Sequence, residues 1–328
     1  MSVFAADGSK FNLPATNEIR EKFDPESGLD HSGKGHYPQC LVSTIFDVFR
    51  RLPIARTVVG IKEASEREEL KKLIPYVPLN SLWLFDRGYP SYEIIHYLMK
   101  NYNGYFIFRC PASSTFSAVE NFVKSKKKED VIWIDPSKRY LSKISKKERS
   151  ENKAIRLRVI RLVSPDGTVS VLLTNLFDKK EFKGKEIINL YFRRWEVENY
   201  YRDEKITMNI EKFHGKTVNS ILQELYASMI MSVISRVILV LTSEKIYSGE
   251  KEFQFKNSLV TIASDAALLV SEDPEKALSI FEEVITEISR VKYHRPKKPR
   301  SFAPRVSKTP ENKWRKRKNK AISESKQK

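Results

Sequence analysis

Two short apolar runs of one design constrain this chain most: Val3-Phe-Ala-Ala-Asp7-Gly-Ser9 and Ser81-Leu-Trp-Leu-Phe-Asp86-Arg-Gly-Tyr89. Each is an apolar stretch closed by an aspartate and a turn, the pattern of a buried strand. An Asp at such a strand end is held rigidly at the edge of a sheet, within reach of a ligand, although Asp before Gly is also a common turn former. Elements around these runs alternate. Residues 3–6, 40–49 and 54–61 read as strands, the last two as a hairpin turning near Leu52-Pro53, with a polar loop over about 24–37. Residues 64–74 are helical, with Ser65 and the glutamates after it suited to a first turn. Strand 82–85, helix 91–101 and strand 105–109 follow, which places the chain in the α/β class.

A third carboxylate stands in Tyr191-Phe-Arg-Arg194-Trp-Glu-Val-Glu198-Asn-Tyr-Tyr-Arg-Asp-Glu-Lys205. On an α-helix Tyr191, Arg194, Glu198 and Lys205 fall within about 60° of one another. One acid is then flanked by a phenol, a guanidinium and an ammonium. The same spacing also suits a solvated charged face laced with i,i+4 pairs. Taken with the two strand-end acids, it gives three carboxylates on three rigid elements, and oxygen donors of this kind suit Mg²⁺ or Mn²⁺ better than zinc.

Asp7-Gly-Ser, Asp86-Arg-Gly-Tyr and the Tyr-x2-Arg-x3-Glu-x6-Lys helix resemble the DDE transposases of the insertion sequence 4 family. The helix signature is the specific part. Tyr37-Pro-Gln39 and Phe213-His-Gly215 belong to the resemblance, which runs from Val3 to the tail. It implies an RNase H-like mixed sheet flanked by helices, with a β-rich insertion between the fifth strand and the signature helix. It implies Asp7, Asp86 and Glu198 as the catalytic, metal-holding acids of a two-ion Mg²⁺ (or Mn²⁺) site. Tyr191, Arg194 and Lys205 would hold phosphates of the transposon end. The reaction implied is DNA cleavage followed by strand transfer from the freed 3′-OH, with a homodimer when two ends are synapsed. Relatives carry an N-terminal helical DNA-binding domain before the first acidic strand, and Asp7 lies almost at the start here, so that domain is expected to be missing. A nuclease of the same fold without joining activity, or a DNA-binding remnant without catalysis, fits the same residues.

The expected organisation is a first part of the catalytic core over 1–110, the insertion over 111–185, the rest of the core and C-terminal helices over 186–290, and a basic tail over 291–328. Within the insertion, 131–134, 155–162 and 169–174 read as strands, the last two joined by Ser-Pro-Asp-Gly. The insertion is basic at 124–128 and 143–149. Trp133 is its residue of interest: relatives stack an aromatic of the insertion on a flipped base, whereas a Trp in an alternating strand also suits plain core.

Charge agrees with a DNA partner. The chain carries 59 Lys and Arg against 41 acids, a formal +18. From Lys292 onward there are 15 bases and two acids, so the preceding 291 residues hold 44 against 39. Most of the positive charge is thus a tail that suits nucleic acid, with Tyr293, Phe302 and Trp314 among its bases. Cys40 and Cys110 show no ligand spacing and read as buried thiols of a reducing compartment. The most apolar segment, 225–242, contains Arg236 and serines and reads as a core helix rather than a membrane span. The expectation is a bacterial cytoplasmic protein associated with the nucleoid and no membrane.

Overall fold

The structure is a computed structural model that describes residues 1–23, 37–60, 65–164, 167–249, 251–270 and 273–294. In chain order the elements begin β1 (Val3–Asn12), α1 (Asn17–Phe23), β2 (Gln39–Asp47), β3 (Leu52–Gly60), α2 (Glu66–Leu73), β4 (Leu82–Phe85), α3 (Tyr92–Asn101) and β5 (Tyr105–Pro111). Next come α4 (Ser117–Lys124), β6 (Glu129–Ile134), α5 (Lys138–Leu141), α6 (Lys146–Glu151), β7 (Ile155–Val163) and β8 (Val169–Thr174). The C-terminal part holds α7 (Gly184–Tyr191), α8 (Trp195–Arg202), α9 (Val218–Lys245), β9 (Lys251–Phe253), α10 (Phe255–Leu269), α11 (Pro274–Arg290) and β10 (Lys292–His294). The chain divides into two compact units, one of Met1–Ser9, Val42–Thr57 and Ser65–Arg202, the other of Lys10–Leu41, Val58–Ala64 and Asp203–Lys328.

The large sheet runs β3-β2-β1-β4-β5-β8-β7-β6. β1, β4 and β5 are parallel neighbours, in the register Val3↔Leu82↔Tyr105 through Ala6↔Phe85↔Phe108. This is the RNase H-like mixed sheet that the resemblance implies. Alternation of side chains divides its two faces. Phe4, Ala6, Trp83, Phe85, Phe106 and Phe108 join Leu70 and Leu73 of α2 and Ile94, Ile95 and Leu98 of α3 in one core. Trp83 stacks on Phe85, which stacks on Phe108 at 5.7 and 4.5 Å between ring centres. The residues between them belong to the opposite face. There Phe46 of β2 meets Tyr200 of α8 at 5.2 Å.

Three details differ from the sequence reading. β1 continues through Asp7 to Asn12 instead of ending at Ala6, but its pairing with β4 stops at Ala6↔Phe85. The turn after β2 lies at 48–51, ahead of Leu52-Pro53: the Asp47 carboxylate accepts from the amides of Phe49 and Arg50 at 3.0 and 2.8 Å. Pro53 then falls near the start of the edge strand β3, where its missing N–H is tolerated. The strands of the insertion extend the main sheet, because β8 pairs antiparallel with β5. Part of the loop at 24–37, the middle of Ser-Pro-Asp-Gly and the tail from 295 lie outside the described residues.

In the second unit, α9, α10 and α11 surround a core of Ile238, Phe253, Ile262, Val284 and Ile288. By length and composition alone α9 could cross a membrane. Its polar residues Ser232, Ser235, Arg236 and Thr242 are nevertheless buried in the unit, and Arg236 donates to Asp203 at 2.8 Å. Cys40 and Cys110 are buried free thiols, each pushed up by burial, to about 12 and about 11.

The extended edge of the sheet depends on Arg158. This buried guanidinium grips both oxygens of Glu129 at 3.0 and 3.1 Å and donates to the carbonyls of Leu176 and Phe182. Burial works against the Glu129 charge, yet the bonds from Arg158 and Lys179 hold its carboxyl below the usual range. Arg158→Met keeps the volume, takes this donor from the Leu176 and Phe182 carbonyls and leaves Glu129 with Lys179 alone, at a cost of about 3 kcal/mol. Thermal unfolding should then fall by roughly 6–12 °C; an unchanged midpoint would show that the grip adds nothing.

Candidate active site

The register of β1 on β4 sets the first two acids. The pairing ends at Ala6↔Phe85, and the next residue on each strand is an aspartate, Asp7 and Asp86. Asp7 alternates with Ala6 and so belongs to the face that α8 covers. The Tyr201 hydroxyl of α8 shares its hydrogen between the carbonyls of Asp7 and Val42, at 2.9 and 3.0 Å. This contact ties α8 to the acidic strand and was not evident from the motif.

The signature segment is not one continuous α-helix. A 3₁₀ turn at Phe192–Arg194 separates α7 from α8, and a π-helical turn follows at Asp203–Thr207. Such departures shift side chains around the axis and recur at functional sites. Tyr191 and Arg194 point inward, at 0% and 2% exposure. Arg194 Nη2 donates to Glu198 at 2.7 Å, and Nη1 lies 4.0 Å from Asp7. Asp86 is also close enough to stabilise the guanidinium charge, which is held well above its ordinary range despite burial. Three acids from β1, the end of β4 and α8 therefore share one buried cation. Arg194 Nε and Nη1 and the Tyr191 hydroxyl make no full hydrogen bond. Burial pushes the Tyr191 phenol up to about 12, with Arg194 opposing the shift.

Lys205 belongs to the second unit. Its ammonium donates to the Lys10 carbonyl, lies 3.9 Å from Glu211 and stands over the Phe11 ring; burial lowers its pKa. Trp133 lies on β6, the far edge strand, opposite Arg156, and is 58% exposed. It is therefore not part of the core.

Sequence reasoning passed over Glu66, the first residue of α2. Its carboxylate lies beside Gly8 and Gly88, the residue after Asp7 and the second after Asp86. The only local hint was the pair of glycines, which leave room for it. Asp7 registers this crowding. Its carboxyl is pushed from 3.8 to about 7, chiefly by burial, with Glu66 and Glu198 adding and Arg194 opposing. Among the described residues no three His, Cys, Asp or Glu side chains are gathered closely enough to hold one ion. The donor chemistry still fits a hard divalent cation, because the acids are all oxygen donors and crowd negative charge around Asp7.

Between about pH 4 and 7 the folded chain keeps a proton on Asp7 that the unfolded chain has lost, so this group lowers stability as pH rises through that window. In chelator, Asp7→Asn should unfold at a higher temperature than the parent at pH 8, and the gap should narrow toward pH 5. An equal gap at both pH values would place the strain elsewhere.

A family profile described as Transposase DDE domain matches residues 1–234. The transposase InsG of insertion sequence element IS4 from Escherichia coli K12 is 23% identical over 248 residues, 74% of this chain and 53% of that protein. The chain thus spans about half the length of the curated relative it matches. Among solved structures, the piggyBac transposase in a synaptic complex with hairpin DNA aligns over 92% of this chain and 59% of its own, with a TM-score of 0.49 and 11% identity. On the profile match, which extends over more than two-thirds of its length, this chain belongs to the transposase DDE domain family.

Proposed function

We propose that this chain cuts DNA at the ends of a mobile element and joins the freed 3′ ends to new DNA, with Asp7, Asp86 and Glu198 as its metal-holding acids. The observation that carries this reading is the convergence of those three acids on the buried Arg194 guanidinium, within a chain of the DDE family. When bound, two Mg²⁺ (or Mn²⁺) ions would activate the attacking oxygen and stabilise the leaving 3′ oxygen.

The chain's own residues supply the placement. The paired strands fix Asp7 and Asp86, and the Tyr201 bond holds α8 against them. Arg194 acts as a positioning residue: it aims the half-exposed Glu198 carboxylate and offsets part of the acids' charge while no cation is present. Arg194 Nε and Nη1 and the Tyr191 hydroxyl, which make no full hydrogen bond, are donors in reserve for a phosphate oxygen. Exposed Trp133 offers a face on which an unstacked base can rest. Lys205 and the basic tail add attraction for the DNA backbone, and two copies would hold two ends.

The test is Mg²⁺-dependent cleavage and strand joining on a duplex bearing the terminal repeat of the element that encodes the chain. Glu198→Gln should slow cleavage by a factor on the order of 10² or more while leaving salt-sensitive DNA binding intact. Equal cleavage by both forms would remove Glu198 from the site. Cleavage without joining would identify a nuclease, and binding without cleavage a DNA-binding remnant.

A further inference from the structure

Glu66 has no role in the three-acid scheme, yet its carboxylate is fitted between the two acidic strand ends. A methyl group placed on Gly8 would lie 2.8 Å from Glu66 Cγ and 2.9 Å from Oε1, and one placed on Gly88 would lie 3.6 Å from Oε2. One carboxylate oxygen thus faces the residue beside Asp7 and the other the turn that follows Asp86. Ser65 accepts from the Glu68 amide and fixes the first turn of α2, so Glu66 is presented from a rigid element. Its charge reaches Asp7 and Tyr89. A second observation points to a ligand at the same place. Arg194 is buried, its Nη1 stands 4.0 Å from Asp7, and neither Nη1 nor Nε makes a full hydrogen bond, so an oxygen arriving with a bound ion would complete its bonding.

We propose that Glu66 is a fourth carboxylate of the metal site, an oxygen donor that draws in with Asp7 and Asp86 as the divalent cation binds. The inference rests on the metal-dependent reading above and adds a residue to it. A carboxylate set against Asp7 and the turn that follows Asp86 is stabilised once a divalent charge enters. Glycine at 8 and 88 is then part of the site, since a side chain at Gly8 would displace the carboxylate.

Mn²⁺ binding to the full chain, followed by the loss of the free-ion magnetic resonance signal, tests this together with thermal unfolding in chelator. Glu66→Gln should weaken Mn²⁺ binding about tenfold or more and raise the unfolding temperature of the metal-free chain. Gly8→Ala, which retains the carboxylate but moves it, should weaken Mn²⁺ binding as well, and it serves if Glu66→Gln does not fold. Asp7→Asn is the reference and should bind least. Parent-like Mn²⁺ binding by Glu66→Gln or Gly8→Ala, beside a loss in Asp7→Asn, would overturn the role of Glu66 and leave the three-acid reading intact. A parent chain that binds no Mn²⁺ would overturn both.

Discussion

The guanidinium of Arg194 is a positive charge on which the acidic strand ends and the signature helix depend. It is almost fully buried and is shared by Asp7, Asp86 and Glu198, which come from three separate elements. Buried carboxylates without a counter-charge would shift their pKa and lose their charge. Even with Arg194 present, Asp7 is pushed up to about 7. The acids that share Arg194 outnumber it, a condition that a cation-binding centre requires. The rest of the first unit can be understood as the scaffold that maintains this imbalance. Aromatic stacking through Trp83, Phe85 and Phe108 fixes the parallel strands on one face, and α8 closes the other.

Much of this was legible in the sequence because the information is local. An apolar run ending in Asp specifies both a buried strand and the place where its pairing stops, and β4 follows the 82–85 reading to the residue. The three acids and their helix signature were likewise visible as residue types at fixed spacing. What escaped was set by partners distant in the chain. β1 continues past Asp7, a length that the short apolar run at 3–6 did not show. The segment from Tyr191 to Lys205 reads as a regular helix, but 3₁₀ and π turns break its period. Tyr191 and Arg194 consequently turn inward to the acids, where a uniform helix would have left them as one face with Lys205. Glu66 was invisible for a similar reason. On its own helix it is an ordinary acid of a first turn, and only the folded chain brings it between Gly8 and Gly88.

The insertion shows how a sheet can gain area without gaining a new core. β8 pairs with the outer side of β5, and β7 and β6 follow, so Leu157, Val159, Val171 and Leu173 enter the same apolar cluster as Phe106 and Phe108. At its far edge Trp133 is exposed beside a strand position occupied by Arg156, whose own guanidinium stands over Phe177 at 4.9 Å.

The Tyr201 hydroxyl bonds to a carbonyl 194 positions earlier in the chain. During synthesis from the amino end, Asp7 and Asp86 leave the ribosome long before Arg194 and Glu198 exist. A nascent or interrupted polypeptide therefore holds two acids with neither their counter-charge nor their third member. The centre is completed only once α8 is made, so a product that ends before it carries both strand-end acids but no assembled centre.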